Sequence, residues 1–382
     1  MIPFQHLGNP RLSFGAGRLS EVPGLLQGRD PVMLISGRHF AEGAASRRLE
    51  GDLGSAGHRL VKGLVSGEPS PEIVDALTEE ARSEGVGTIV AVGGGSVLDA
   101  GKAVAAMLRH EGSVFDYLEG VGSRRPEGRT APMIAAPTTA GTGSEATKNA
   151  VISRRGDGGF KKSLRQDAFI PQVAVVDPEL AVGCPAEVST ACGMDAFCQL
   201  LESFVSTGAT PLTDGIAWEG LRHFARGRRL FTESLYGTDD EGDLRGHLAF
   251  AAYCSGLTLA NAGLATVHGL AGPLGAVCEV PHGVACGLLL APVFRRMAAK
   301  APMDRLQAVG ALLVRGDDAR PEDDDVLRVL DLFDAWARPL PRLSTYGLAE
   351  IDLDAVVAAS GNKNSPVPLD DDERRAALVD VL

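Results

Sequence analysis

Short apolar runs alternate with longer helical patterns through the first half of the chain. Four runs have the length and composition of buried strands, at residues 31–36, 87–93, 131–137 and 172–178. This alternation is typical of βαβ units, in which helices cover both faces of a parallel sheet. From about Pro185 helical periodicity replaces the strand pattern. The sequence therefore predicts an α/β domain with a parallel sheet over residues 1–184 and an all-α domain over residues 185–382.

Length and charge agree with two domains of an ordinary globular protein. The chain has 382 residues, of which 45% are hydrophobic and 23% charged, and a single core rarely grows beyond about 250 residues. The formal net charge of −12 repels phosphate backbones and anionic lipid. We therefore expect no nucleic-acid or membrane partner.

Export and membrane insertion are not expected either. Residues 1–17 lack a basic stretch followed by an apolar run, and the most apolar later segment, 256–272, is interrupted by Asn261 and His268. The cysteines are scattered without CxxC spacing, as expected for reduced thiols in a cytoplasmic protein. They are Cys184, Cys192, Cys198, Cys254, Cys278 and Cys286.

A glycine-rich turn follows the strand at 87–93. The sequence continues through Gly94 and Gly95 to Ser96 and Asp99, which have capping-box spacing at the start of a predicted helix over 96–110. Glycines let the backbone approach a ligand closely, and the first turn of a helix attracts anions. The turn therefore either binds a phosphate or diphosphate or is a plain connection between a strand and a helix.

A second loop, residues 137–145, follows the strand at 131–137 and is rich in hydroxyl groups. Its hydroxyl residues are Thr138, Thr139, Thr142 and Ser144. Hydroxyls and glycine amides at the carboxyl end of a parallel strand bind phosphate, ribose or carboxamide oxygens. The alternative is a polar surface loop without a ligand.

Potential metal ligands occur in the helical half. Asp195 and Gln199 stand four residues apart and share one face of a helix, and His268 and His282 follow on later segments. One carboxylate, one amide oxygen and two imidazoles suit Fe(II) or Zn(II). Taken alone, two distant histidines are more often ordinary polar residues than metal ligands.

Together, these motifs resemble the iron-containing, or group III, alcohol dehydrogenase family. GGGS with Asp99, PTTAGTGSE, GMDAxxxxxE ending at Glu202, His268, and PHG at 281–283 occur in the family's order and approximate spacing. The resemblance covers essentially the whole chain. It implies a Rossmann-like dinucleotide-binding α/β domain and a helical domain in a dehydroquinate synthase-like architecture, which bind NAD(P) and one catalytic divalent metal. It also implies a homodimer.

The resemblance assigns roles to individual residues. It implies metal binding and catalysis by Asp195, His268 and His282, with Gln199 as a further ligand. The residues that it implies for the cofactor are Gly94, Gly95, Ser96, Asp99, Thr138, Thr139, Thr142, Ser144 and Lys161.

The chain departs from the family's usual pattern after the second strand and at two positions of the helical half. Many members carry an acidic residue after the strand that ends at Ser36, where it would repel the 2′-phosphate of NADP; this chain has Gly37 and Arg38, so we expect NADP to be used at least as well as NAD. Gln199 replaces the usual histidine, and an amide oxygen is the weaker ligand. Gly272 replaces a histidine that helps to relay the proton, so the proton is expected to leave through ribose hydroxyls and water.

The predicted function is therefore a metal-dependent alcohol dehydrogenase or aldehyde reductase. The metal acts as a Lewis acid on a small alcohol or aldehyde while hydride moves to or from the nicotinamide. The alternatives are a metal-free reductase similar to maleylacetate reductases, a lyase related to dehydroquinate synthase, and a non-catalytic dinucleotide-binding protein.

Overall fold

The computed structural model describes residues 3–28, 31–154 and 159–382. Contacts between Cα atoms divide the chain into two compact units. The α/β unit comprises Leu7–Thr139 and Gly143–Gly183, and the helical unit comprises Cys184–Leu382, Ala140–Thr142 and the described residues up to His6.

The strands lie in the α/β unit. They are β1 (Arg11–Phe14), β2 (Val32–Gly37), β3 (Leu60–Val65), β4 (Thr88–Gly93), β5 (Met133–Pro137), β6 (Asn149–Arg154), β7 (Phe160–Arg165) and β8 (Val173–Val176). The helices of this unit are α1 (Val22–Leu25), α2 (Arg38–Glu42), α3 (Ala44–Ser55), α4 (Pro71–Ser83) and α5 (Gly95–Met107).

Six of the described strands form one parallel sheet in the order β1-β8-β5-β4-β2-β3, and β6 and β7 form an antiparallel pair. The four strands predicted from the sequence are β2, β4, β5 and β8, which lie side by side in the middle of the sheet. The predicted fold class, a parallel α/β domain followed by helices, is confirmed. The prediction misses the edge strands β1 and β3 and the antiparallel pair β6 and β7, because these strands bury fewer of their residues.

Alternating side chains of the central strands cover both faces of the sheet. Met33 and Ile35 of β2 belong to the core under α4 and α5, whereas Val32 and Leu34 belong to the core under α1 and α3. Helix α5 lies close to the sheet: a Cβ atom added at Gly101 would come within 2.7 Å of the Ala91 side chain. The two cores therefore hold the central strands, and with them the strand ends, in place between the helices.

The strand order reverses beside β2, because β3 pairs with one side of β2 and β4 with the other. Open α/β sheets bind ligands outside the carboxyl ends of their strands at such a reversal. The C-terminal residues Gly37 of β2 and Gly93 of β4 lie there. The fold thus places the predicted glycine turn at the expected position for a dinucleotide.

The helical unit contains longer helices. They are α6 (Ala186–Val205), α7 (Pro211–Gly227), α8 (Arg229–Thr232), α9 (Glu241–Ala262), α10 (Thr266–Val277), α11 (His282–Lys300), α12 (Asp304–Arg315), α13 (Asp325–Ala337), α14 (Leu353–Ala359) and α15 (Asp371–Val379). Short 3-10 helices in the two units cover Arg18–Glu21, Val114–Tyr117, Ser144–Ala146, Asp167–Phe169, Pro178–Ala181, Leu343–Tyr346 and Glu350–Asp352.

Helix α6 is central to this unit and packs against α7, α9 and α11. Its Phe197 ring lies 4.7 Å from Phe224 and 5.1 Å from Trp336, measured between ring centroids.

Among the described residues, no single helix is long and apolar enough to cross a membrane; α9 and α10 meet that criterion only together, across a bend of 100°.

Replacing Phe197 by alanine should strongly destabilise the helical unit. The ring is fully buried, so its removal leaves a cavity and should lower the free energy of unfolding by about 3–5 kcal/mol. Chemical denaturation measures this change. Phe4→Ala is the matched control, because Phe4 is 41% exposed and its loss should cost no more than about 0.5 kcal/mol. Equal effects of the two changes would contradict the assigned core.

Candidate functional site

The predicted glycine turn joins β4 to α5. Gly94 is the N-cap of α5, and no side chain caps that helix. Helix α5 begins one residue before Ser96 and ends earlier than predicted. The predicted capping box between Ser96 and Asp99 is wrong, because the Asp99 carboxylate accepts hydrogen bonds from other groups. The uncapped first turn leaves backbone N–H groups that can bind an anion.

Asp99 joins three segments of the α/β unit. Its Oδ1 atom accepts a hydrogen bond from the Ser144 hydroxyl and lies 3.0 Å from the Lys102 ammonium, and its Oδ2 atom accepts from the backbone N–H of Val151 at 2.9 Å. The side chain thus positions the hydroxyl-rich loop relative to α5. This geometry gives Asp99 an internal positioning role in addition to the cofactor contact predicted for it.

The hydroxyl-rich loop lies against the glycine turn. The Thr138 N–H donates to the Gly93 carbonyl oxygen at 3.0 Å, and a Cβ atom at Gly94 would lie 3.5 Å from the Thr139 hydroxyl oxygen. The Ser144 hydroxyl donates to Asp99 Oδ1. The structure therefore brings these predicted cofactor residues of the α/β unit together, whereas Thr142, which is half-buried, belongs to the helical unit.

Two predicted cofactor residues lie at other positions in the α/β unit. Gly37 ends β2 and is the N-cap of α2, at the same edge of the sheet as Gly93. Lys161 lies on β7 and forms an ion pair with Glu68. Lys161 is therefore attached to the segment that follows β3, and the structure records no hydrogen bond from Lys161 to the glycine turn within the described residues.

Three of the predicted metal ligands converge in the helical unit. The Asp195 Oδ1 atom on α6 lies 3.3 Å from His268 Nε2 on α10 and 3.7 Å from His282 Nε2 at the start of α11. Asp195 and His268 are almost fully buried, while the His282 side chain is 32% exposed. The cluster is thus closed on most sides and accessible beside His282.

Glu202 positions His268. Its fully buried carboxylate accepts hydrogen bonds from His268 Nδ1 at 2.7 Å and from the backbone N–H groups of Val267 and His268 at 2.6 and 3.3 Å. This arrangement directs His268 Nε2 towards Asp195. A carboxylate behind a ligating histidine fixes the ring and raises its basicity. The sequence motif contains Glu202, but its role is visible only in the fold.

A thiol that the sequence did not predict as a ligand also belongs to the cluster. The Cys286 Sγ atom lies 3.6 Å from His268 Nε2 and 3.8 Å from His282 Nε2. The donor atoms of Asp195, His268, His282 and Cys286 all lie within 4.8 Å of one another. Gln199 lies one turn after Asp195, and its Oε1 atom accepts a hydrogen bond from the Ser255 hydroxyl at 2.8 Å.

Cys286 was missed because buried cysteines usually act as small core residues. The available signal was its spacing: Cys286 follows His282 by four residues, so the two side chains share one face of α11. The chemistry of this donor set, with one carboxylate, two imidazoles and one thiol, fits a borderline divalent metal.

The ionisable side chains of the cluster shift one another's pKa values. Burial opposes ionisation of Cys286, but the hydrogen bond from Cys198 and the charges of His268 and His282 hold the pKa of its thiol well below the ordinary range. Burial also opposes protonation of His268, yet Cys286, Asp195 and Glu202 raise the pKa of that imidazole well above its ordinary value. The side chains therefore form a polar, anion-rich site inside an apolar core.

Two sequence profiles together match most of the chain. The profile for iron-containing alcohol dehydrogenase covers residues 9–178. The profile for the C-terminal part of the Fe-containing alcohol dehydrogenase family covers residues 189–372. The first contains the glycine turn and the hydroxyl-rich loop, and the second contains the metal-ligand cluster.

Individual proteins agree with these profiles. Long-chain-alcohol dehydrogenase 1 of Geobacillus thermodenitrificans is 37% identical over 246 residues, which cover 64% of this chain and 60% of the relative. A solved 1,3-propanediol oxidoreductase has a TM-score of 0.89 and 26% identity and covers 100% of both chains. The sulfoacetaldehyde reductase of Bifidobacterium kashiwanohense, solved with NAD+, has a TM-score of 0.86 and 26% identity, with 100% of this chain and 99% of that chain covered.

Two buried ionisable residues, Lys102 and Glu145, lie in and beside the hydroxyl-rich loop. Lys102 is buried, and its ammonium donates to Thr147 Oγ1 at 2.9 Å and to the Asn149 carbonyl oxygen. Burial raises the pKa of Glu145 to about 7, against a smaller opposing effect of its own backbone hydrogen bond and of Lys102. Glu145 is therefore largely protonated in mildly acidic solution.

Glu145 should make folding stability depend on pH. Its pKa is about 7 in the folded chain against 4.5 as the ordinary value, so only the unfolded chain loses this proton between these pH values. Stability should fall as pH rises through this window, by up to about 3 kcal/mol. In chemical denaturation across this pH range, the free energy of unfolding of Glu145→Gln should lack this fall. Glu79→Gln, whose side chain is 77% exposed, is the control, and an unchanged pH profile in Glu145→Gln would contradict the assignment.

Proposed function

The chain belongs to the iron-containing alcohol dehydrogenase family, and from that premise we propose that it transfers hydride between NAD(P) and a small alcohol or aldehyde. The observation that carries the proposal is the convergence of Asp195, His268 and His282 on one buried point. Such a set of oxygen and nitrogen donors suits a divalent metal that is also open to a substrate.

In this proposal Asp195, His268 and His282 would hold the metal beside the bound substrate and so take part in catalysis. Gln199 is the fourth ligand that the sequence predicts. A bound metal supplies Lewis acidity, which favours the alkoxide of an alcohol and polarises the carbonyl of an aldehyde. Glu202 keeps His268 in the orientation that binding requires. The exposed side of His282 is where the substrate would enter.

The proposed cofactor site combines the glycine turn with the hydroxyl-rich loop. The uncapped start of α5 suits the diphosphate, and hydroxyls of the loop suit ribose or carboxamide groups. The residues proposed to contact the cofactor are Gly37, Gly94, Gly95, Ser96, Asp99, Thr138, Thr139, Thr142, Ser144 and Lys161. NAD+ is bound by the similar sulfoacetaldehyde reductase, which supports a nicotinamide dinucleotide here.

The proton of the alcohol requires a route without a second histidine on α10. Gly272 lies one turn after His268, and a Cβ atom added there would have no described heavy atom within 4 Å. This open position can hold water. We propose that the proton leaves through the ribose hydroxyls of the cofactor and water.

We propose that the protein is a cytoplasmic homodimer and that it has no nucleic-acid or membrane partner. The net charge of −12 supports the lack of anionic partners. The six free cysteines agree with a reducing compartment. We also propose that the functional boundary lies at 184/185, with cofactor binding before it and metal binding after it.

Removal of the metal should abolish redox turnover. Elemental mass spectrometry should find about one Fe or Zn per chain, and chelation should slow oxidation of NADH or NADPH by aldehydes at least about 1000-fold, since Lewis acidity contributes several kcal/mol. Added metal should restore the rate. Asp195→Asn should lose metal and turnover together, whereas Asp243→Asn, whose carboxylate is 82% exposed, should lose neither.

The same measurements distinguish the alternative functions. Turnover that persists after complete metal removal would identify a metal-free reductase similar to maleylacetate reductases. Bound metal and cofactor without net redox turnover would instead favour a lyase related to dehydroquinate synthase or a binding protein.

Arg38 should determine the use of NADP. It is exposed at the start of α2, directly after β2, and no carboxylate pairs with it in the described part of the chain. Because a charge-assisted hydrogen bond contributes about 1.5–3 kcal/mol, Arg38→Ala should lower kcat/KM for NADPH about 10- to 100-fold and leave that for NADH nearly unchanged. Arg47→Ala, an exposed position on α3, is the control. Equal losses with both cofactors would contradict this role.

A further inference from the structure

Cys286 occupies the position of a metal ligand in the cluster of the helical unit. It lies in the first turns of α11, one turn after His282, and is fully buried. The helix spacing sends both side chains to the same face. Their donor atoms lie 3.8 Å apart, from Cys286 Sγ to His282 Nε2.

The distances match those between ligands that share one tetrahedral ion. With metal–nitrogen and metal–oxygen distances of about 2.0–2.1 Å and a metal–sulfur distance of about 2.3 Å, tetrahedral edges are about 3.4 Å for N···O and about 3.6 Å for N···S. The observed separations from His268 Nε2 are 3.3 Å to Asp195 Oδ1 and 3.6 Å to Cys286 Sγ. Those from His282 Nε2 to the same two atoms are slightly longer, at 3.7 and 3.8 Å. These side chains therefore need little movement to bind an ion.

Gln199 is the weaker candidate for the same role. Its amide oxygen already accepts the hydrogen bond of Ser255 at 2.8 Å, and a neutral amide binds a dication less strongly than an anionic thiolate. Cys286 can supply both a negative charge and a soft sulfur donor.

We propose that Cys286, rather than Gln199, is the fourth protein ligand of this metal, and that it gives the centre a preference for Zn(II) over Fe(II). This inference rests on the proposed function, because it concerns the same metal. Thiolate ligands favour zinc relative to iron(II) in a mononuclear site that also contains imidazole and carboxylate. Catalytic zinc sometimes expands to five ligands, so four protein ligands would still admit a substrate oxygen, which would enter beside the exposed His282.

Cobalt(II) substitution tests this assignment by spectroscopy. Full-length protein is stripped of metal, loaded with Co(II) without oxygen and examined by absorption. The wild-type protein should show visible d–d bands of bound cobalt together with a near-ultraviolet thiolate-to-cobalt charge-transfer band. Cys286→Ser should lose the charge-transfer band, retain the d–d bands and bind zinc at least about 10-fold more weakly in competition with a chelator.

Matched variants identify the sulfur. Cys254→Ser changes another buried thiol outside the donor cluster and should retain the complete spectrum. Cys198→Ser tests the neighbouring thiol, whose Sγ lies 3.9 Å from His268 Nδ1; it should also retain the charge-transfer band. Loss of this band in Cys198→Ser but not in Cys286→Ser would overturn the proposal.

The wild-type protein provides a test that does not depend on the folding of a variant. X-ray absorption of the zinc-loaded protein should contain one sulfur neighbour at about 2.3 Å, and apo protein given equal Zn(II) and Fe(II) should retain zinc. Bound metal without a sulfur neighbour would overturn the role of Cys286 and leave the proposed function intact. Failure to bind any of these metals would contradict the proposed function itself.

Discussion

The hydrogen bonds of Glu202 are the constraint on which the metal centre depends. An ionised carboxylate inside an apolar core is unfavourable unless its oxygens are satisfied. Glu202 meets this requirement by accepting from the His268 ring and from two backbone N–H groups at the start of α10. The contact joins α6 to α10, so the same interaction that permits the buried charge also sets the position of His268.

Asp99 solves a similar problem in the α/β unit. Its carboxylate binds the hydroxyl of Ser144, the ammonium of Lys102 and the N–H of Val151. One acidic side chain on a helix thereby orders a loop that has little apolar surface to bury. In each unit the candidate ligand-binding groups are thus supported by a carboxylate that accepts hydrogen bonds from other parts of the protein.

The sequence predicted the parts of the fold and site that local patterns encode. Strands β2, β4, β5 and β8 were predicted because both their faces are buried, whereas β1 and β3 lie at sheet edges and carry weaker patterns. Motif order indicated Asp195, His268 and His282, which the fold brings together. Cys286 was not predicted, because its spacing four residues after His282 is a weak signal for a ligand, and the packing of α11 beside α6 and α10 is needed to distinguish it from core thiols such as Cys254. The roles of Gln199 and of the cofactor residues remain predictions.

A thiolate beside Asp195 changes the electrostatic balance of the centre. Two anionic ligands neutralise a dication, whereas Asp195 with a neutral amide leaves one positive charge. The neutral set binds its metal more tightly but polarises a substrate oxygen less, because less positive charge remains to attract electron density. Glu202 adds a further negative charge behind His268. With Cys286 as a ligand, hydride transfer would depend more on the positioning of the substrate and on the exclusion of water. The packing of α6, α10 and α11, which holds the donor atoms together, would then serve the chemistry as well as the fold.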